Sequence, residues 1–159
     1  MRKINNFYES LPGYFCFGCS HNNPHGLQMT FFLDGEEIHS TWEPQPRFQG
    51  YNNVLHGGIQ ATLMDETASW LVQVVLQTAG VTSRLEIKYK KPVPTHRGPI
   101  TLRARLTEKK RNLAFIHVDL FGPDTRLCSE AEVIFYTFTR EYSHQQLGFP
   151  ENPDFFVEE

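Results

Sequence analysis

The sequence predicts an α+β protein in which one long apolar helix lies across a single curved antiparallel sheet. Three observations carry this reading. A hairpin signal stands in the first third of the chain, one helix-periodic stretch occupies the middle, and four long alternating segments joined by Pro- and Gly-bearing turns follow it. With 159 residues, 40% of them hydrophobic, the chain has the bulk for one compact core and too much apolar content for a disordered polymer.

The elements follow in order. Residues 1–26 are rich in Asn, Gly, His and Pro and contain the run Cys16-Phe17-Gly18-Cys19-Ser20-His21-Asn22-Asn23-Pro24-His25-Gly26, which reads as a loop-forming segment. Leu27–Leu33 and Glu36–Trp42 alternate in hydropathy around Asp34-Gly35 and predict a β-hairpin. Pro44–Asn53 breaks all periodicity and reads as a polar loop. From Gly57 to Ala79 the period becomes helical, with Ile59, Leu63, Trp70 and Val74 on one stripe and Gly80 as the stop. Strands are predicted over Val81–Lys91, Ile100–Lys110, Leu113–Phe121 and Leu127–Thr139, giving a sheet of five or six strands. The chain thus divides into an N-terminal segment (1–26), a main domain (27–140) and a C-terminal tail (141–159).

Several function classes are disfavoured by composition. A formal charge of -3 supplies no global positive field, so nucleic acid is not an expected partner. No apolar run approaches the ~20 residues of a membrane span, and Met1–Leu11 carries Arg2, Lys3 and Glu9 with no apolar stretch behind it, so neither anchor nor signal peptide is expected. Three cysteines do not pair off, which favours a reducing cytoplasmic setting over a disulfide framework. Cys16 and Cys19 have the spacing of a zinc knuckle with His21 and His25 nearby, but no second Cys-x-x-Cys completes it, and the expectation is reduced cysteines in a plain loop without metal. His39 and His117 alternate within strands and read as satisfied polar residues.

The chemistry concentrates on the helix. Between Gly57 and Ser83 the only charged side chains are Asp65 and Glu66. A carboxylate in such apolar surroundings costs several kcal/mol unless compensated, which marks the pair as a candidate site. They point ~100° apart, so one faces a cleft while the other is free to find an ion-pair partner such as Arg84. At the helix start, His56-Gly57-Gly58 puts two bare backbone positions where unpaired N–H groups and the positive dipole end emerge, an arrangement suited to an oxyanion. Gly58 and Asp65 lie on one face but ~10 Å apart along the axis. One carbonyl cannot touch both within a chain, whereas two antiparallel helices would bring the Gly57-Gly58 amides of one copy to Asp65 of the other.

His56-Gly57-Gly58-Ile59-Gln60-Ala61-Thr62-Leu63-Met64-Asp65-Glu66, preceded by Phe48-Gln49-Gly50 and followed by Lys88-Tyr89-Lys90-Lys91-Pro92-Val93-Pro94, resembles the hot dog fold acyl-CoA thioesterases of the phenylacetate-pathway type. Phe15–Cys19, Asn23–Leu27, Leu113-Ala114-Phe115 and Ser129-Glu130-Ala131 extend the resemblance over most of the chain. It implies hydrolysis of an acyl-CoA thioester to free acid and CoA, with no cofactor, in a homodimer of shared active sites whose dimers can pair into tetramers. Asp65 matches the carboxylate that acts as nucleophile or general base, Gly57 the residue whose N–H polarises the thioester carbonyl, His56 the neighbour that fixes the loop, and Thr82 a hydroxyl that orients water. Strand alternation alone, however, puts Thr82 on the polar face with Arg84, Glu86 and Lys88, and Ser83 on the face of Leu85.

Gly50 stands where some relatives carry an Asn or Gln near the substrate carbonyl, and Asn52 and Asn53 where close relatives often have Pro-Gly; either a neighbouring Asn supplies that polar group or the site hydrolyses slowly. Gly58, Asn53 and Glu66 complete the candidate substrate contacts, with Lys90, Lys91 and Arg97 clustered around prolines where coenzyme A phosphates would lie. The alternative is a non-catalytic acyl-CoA-binding or sensing protein of the same fold.

Overall fold

A computed structural model describes residues 1–156. Its strands are β1 (Arg2–Lys3), β2 (Phe32–Asp34), β3 (Glu37–Trp42), β4 (Gln49–Tyr51), β5 (Val54–Leu55), β6 (Gly80–Tyr89), β7 (Ile100–Lys110), β8 (Leu113–Phe121) and β9 (Leu127–Thr137). The helices are α1 (Gly57–Val75) and α2 (Arg140–Leu147). Seven strands form one antiparallel sheet in the order β1-β2-β3-β7-β8-β9-β6, and α1 packs across its concave centre, touching β3, β6, β7, β8 and β9. This is the hot dog fold. Leu63, Met64, Ala68, Trp70, Leu71 and Val72 of α1 are fully buried against Ile100, Leu102, Ile116 and Val133 of the sheet, the face that the helical period selects.

The sheet has one strand more than the five or six expected, and the extra one comes from the N-terminal segment. Arg2 and Lys3 pair with Leu33 and Phe32, and Ile4 drops into the core and donates its N–H to Phe31 O at 2.9 Å. Two residues are too few to show alternation. The segment after Arg140 is likewise not a free tail over its described length. Thr139 caps α2 by accepting from Tyr142 N–H, Gly148 ends it in the left-handed region (φ 74°), and Phe149 and Phe155 then return to the core beside Phe7. Asn5 N–H donates to Phe155 O at 2.7 Å, so both ends of the described chain are tied together. The exposed polar face of α2 hides this from pattern reading, because the anchors are single phenylalanines in an aperiodic stretch. Val157–Glu159 lie outside the described residues.

Other boundaries shift for local reasons. The hairpin turn at Asp34-Gly35 forms as expected, with Gly35 at φ 62°, but its first strand begins at Phe32 because Gln28 takes a left-handed conformation (φ 51°). The polar loop contains a short β4–β5 hairpin. Helix α1 stops at Val75 rather than Ala79: Gln77 occupies the left-handed position (φ 57°) and its side-chain amide donates to Val74 O at 2.7 Å. Gly80 is therefore not the stop; it opens β6, where a Cβ would lie 2.7 Å from the backbone oxygen of Tyr136 on β9.

Candidate active site

The start of α1 is built by His56. Its Nδ1 accepts the Gly58 N–H at 2.9 Å, and its carbonyl accepts the N–H groups of Ile59 and Gln60 at 3.0 and 3.1 Å. Its own N–H donates to Phe48 O at 3.0 Å, fixing the loop. The Gly57 N–H has no acceptor among the described residues. Of the two amides expected to face an oxyanion, that of Gly58 is taken by the N-cap side chain. Tyr89 Oη donates to Gly57 O at 2.7 Å and holds the peptide in place.

His56, Gly57 and Tyr89 line a cleft of about 550 Å³, together with Gly50, Gln60, Lys90 and Lys91. A Cβ on Gly50 would sit 3.4 Å from the His56 ring, so the bare backbone at this position packs against the imidazole. Gln60 and Tyr89 are site components that pattern reading did not single out. Gln60 is buried, donates to Leu55 O at 3.3 Å and accepts from Ser129 Oγ at 2.9 Å; a glutamine in the first turn of so apolar a helix is the signal that could have found it.

Asp65 lies two turns further along α1, half-buried, and Thr82 Oγ1 donates to its Oδ1 at 2.7 Å. Strand alternation assigned Thr82 to the polar face. A bulge corrects this: Thr82 pairs with Phe135 and Arg84 with Ile134, so Ser83 is the extra residue and Thr82 turns toward the helix. Burial raises the Asp65 pKa above the ordinary carboxylate value, and the Thr82 hydrogen bond works against that rise. Asp65 does not line the Gly57 cleft; eight residues at 1.5 Å rise put them ~12 Å apart along the axis.

The remaining candidates separate. Glu66 does not pair with Arg84, which instead meets Glu86 at 3.1 Å on the exposed strand. Glu66 points away from the cleft and accepts from the Cys16 thiol, with Sγ 3.6 Å from Oε1, so the structure gives it no contact with the cleft proposed for substrate. Asn53 forms the β4–β5 turn at φ 62°, its N–H bonded to Gln49 Oε1 and its carbonyl to Thr95 N–H. It lines a second cleft of about 390 Å³ with Lys91 and Arg97, adjacent to but distinct from the Gly57 cleft. Lys90 is held by Glu130 at 3.2 Å. One chain therefore unites Asp65 with Thr82, and separately His56 and Gly57 with Lys90 and Lys91, while Gly58 lies outside that cleft lining.

The site thus sets a half-buried carboxylate and an N-terminal glycine amide on one helix within a hot dog sheet. Residues 52–129 match the family described as the Thioesterase superfamily. A protein of Saccharolobus solfataricus that carries an esterase name is 26% identical over 96 residues, covering 60% of this chain and 63% of that protein. The chain thus spans less than two thirds of that relative. The crystal structure of a thioesterase from Haemophilus influenzae superposes with a TM-score of 0.65 at 22% identity, covering 71% of this chain and 80% of that one. A phenylacetic acid degradation-related protein of Ralstonia eutropha gives a TM-score of 0.63 at 20% identity, covering 70% and 86%.

Proposed function

We propose that this protein hydrolyses acyl-CoA thioesters to the free acid and CoA, as a homodimer in which each site combines Asp65 and Thr82 of one chain with Gly57 of the other. The observation that carries the reading is the Thr82–Asp65 hydrogen bond: it occupies one carboxylate oxygen, fixes the plane of the group and leaves the other oxygen for water. Asp65 takes a proton from that water as its oxygen attacks the thioester carbon, or attacks directly as nucleophile to give an acyl-aspartyl anhydride that water then hydrolyses to the free acid and Asp65. The carbonyl oxygen becomes an oxyanion, stabilised by the Gly57 N–H at the positive end of α1. Collapse expels the CoA thiolate, a good leaving group that solvent protonates, so the reaction balances without a cofactor.

Dimerisation is supported by β6, an edge strand of the sheet whose Val81 and Tyr89 are 48% and 52% exposed. Such an edge invites a second copy. Lys91 and Arg97 then suit the CoA phosphates, and Asn53 of the same cleft suits the nucleotide rather than the thioester carbonyl. The test is a panel of aliphatic, aromatic and hydroxylated acyl-CoA thioesters read by a thiol reagent. Thiol release from at least one class is expected. Saturable acyl-CoA binding without thiol release would replace hydrolysis by the sensing reading.

A further inference from the structure

The Cys16–Cys19 turn has no part in the reaction above, yet it sits against the residue next to Asp65. Cys16 Sγ, Cys19 Sγ and a Glu66 carboxylate oxygen all lie within 4.8 Å of one another. Tetrahedral zinc with its usual sulfur and oxygen distances sets its ligand atoms roughly 3.5–3.8 Å apart, so small side-chain rotations suffice to close the set. We propose that Cys16, Cys19 and Glu66 form a binding site for a thiophilic divalent ion, zinc foremost, with water in the fourth position.

The surroundings are those of a thiolate site. The backbone makes a tight turn, Ser20 N–H donating to Cys16 O at 3.2 Å, and the amides of Gly18 and Cys19 point at the Cys16 sulfur. Tyr14 Oη lies 2.9 Å from Cys19 Sγ, as donors that orient metal-bound sulfur do. Gly18 lies directly on the carboxylate: a Cβ there would come within 2.7 Å of Glu66 Cδ and Oε2. Among the described residues no Lys, Arg or His forms an ion pair with Glu66, so this carboxylate faces the two sulfurs of the N-terminal turn and no cationic partner. A cavity of about 450 Å³, lined by Cys16, Cys19, Glu66, Tyr14 and Ser69, gives water access to the fourth position.

Spacing alone nominated His21 and His25 as the further ligands and found the set incomplete. The structure turns His21 to Glu9, with Nδ1 3.4 Å from Oε1, and supplies Glu66 from 50 residues beyond Cys16. Binding displaces the protons that the set holds to solvent and ties the N-terminal segment to α1 beside Asp65.

The test uses the full chain, reduced and stripped with a chelator, then titrated with Co²⁺ and Zn²⁺. One ion per chain is expected, with thiolate-to-cobalt charge-transfer bands that Cys16→Ser and Cys19→Ser each weaken. Glu66→Gln should lower affinity ~10-fold or more while keeping those bands. Gly18→Ala, which displaces only the carboxylate, should act in the same direction with both cysteines intact and the fold unchanged by circular dichroism. The proposal is overturned if the reduced protein takes up no stoichiometric metal, if it forms a Cys16–Cys19 disulfide in air without ever binding metal, or if Glu66→Gln and Gly18→Ala both leave affinity untouched.

Discussion

Thr82 shows how a single backbone irregularity decides the orientation of a catalytic candidate. Regular alternation would send its hydroxyl to solvent with Arg84, whereas the bulge at Ser83 brings it to 2.7 Å from Asp65. Asp65 and the His56-Gly57 start were legible in the sequence, because charge is costly within an apolar helix and bare glycines at a helix start have few purposes. The bulge was not, since nothing in Val81–Lys91 breaks the period-2 pattern. The division of labour between two adjacent amides was equally hidden, as it depends on the His56 ring reaching back to the Gly58 N–H. Two expectations belong at this scale. Asp65→Asn keeps the shape but removes the proton acceptor, and should lower steady-state turnover ~100-fold or more with an unchanged circular dichroism spectrum. Thr82→Val should lower kcat by ~10-fold, and Thr82→Ser should restore most of it, because a hydroxyl rather than the methyl group orients the carboxylate.

At the scale of elements, the long strands and α1 were readable from periodicity, and the errors fell at ends and short pieces. Helix α1 ends where Gln77 adopts a positive φ, a choice that Gln does not advertise, and β1, β4 and β5 are too short to display a period. The polar face of the β7–β8–β9 ladder carries a charge network with its own pH signature. His117 lies opposite Arg105 on β7 and Glu132 on β9; its Nδ1 meets Glu132 and its Nε2 meets Asp119 at 2.9 Å, while Asp119 also holds Arg105 at 3.0 Å and Arg103 at 3.8 Å. Burial lowers the His117 pKa, but the hydrogen bonds to Glu132 and Asp119 outweigh it and leave the value raised. A raised folded-state pKa contributes stability that is fully present below the unfolded imidazole value of about 6.5 and fades as pH rises through the folded value. Melting temperature should therefore fall between pH 6 and pH 8.5 by more in the native sequence than in His117→Gln, where the imidazolium is gone. Equal slopes in the two proteins would mean that the network contributes nothing to this pH dependence.

The whole molecule raises the question of what completes the site. Helix geometry alone leads to the expectation that Gly57 and Asp65 act from different chains, and within one chain Asp65 lies outside the Gly57 cleft. What the sequence hid at this scale is how the ends close the fold: Ile4, Phe149 and Phe155 are core residues drawn from segments that read as loop and tail. Shared sites make a complementation prediction. Gly57 is the first residue of α1, a position that proline favours, and His56 at φ -59° and ψ 134° already has the extended geometry required before proline. Gly57→Pro therefore removes the N–H with little strain and should abolish the proposed thiol release, as should Asp65→Ala. In a heterodimer of the two, one site carries both defects and the other combines the native Asp65 of the Gly57→Pro chain with the native Gly57 of its partner. Random mixing makes half the dimers mixed, so about a quarter of the native sites should return after unfolding and refolding the two parents together. Size-exclusion chromatography and differently tagged parents verify that mixed dimers form. Recovery of thiol release near that fraction is the expected outcome; mixed dimers without activity would place the oxyanion donor and the carboxylate in one chain and refute the shared site.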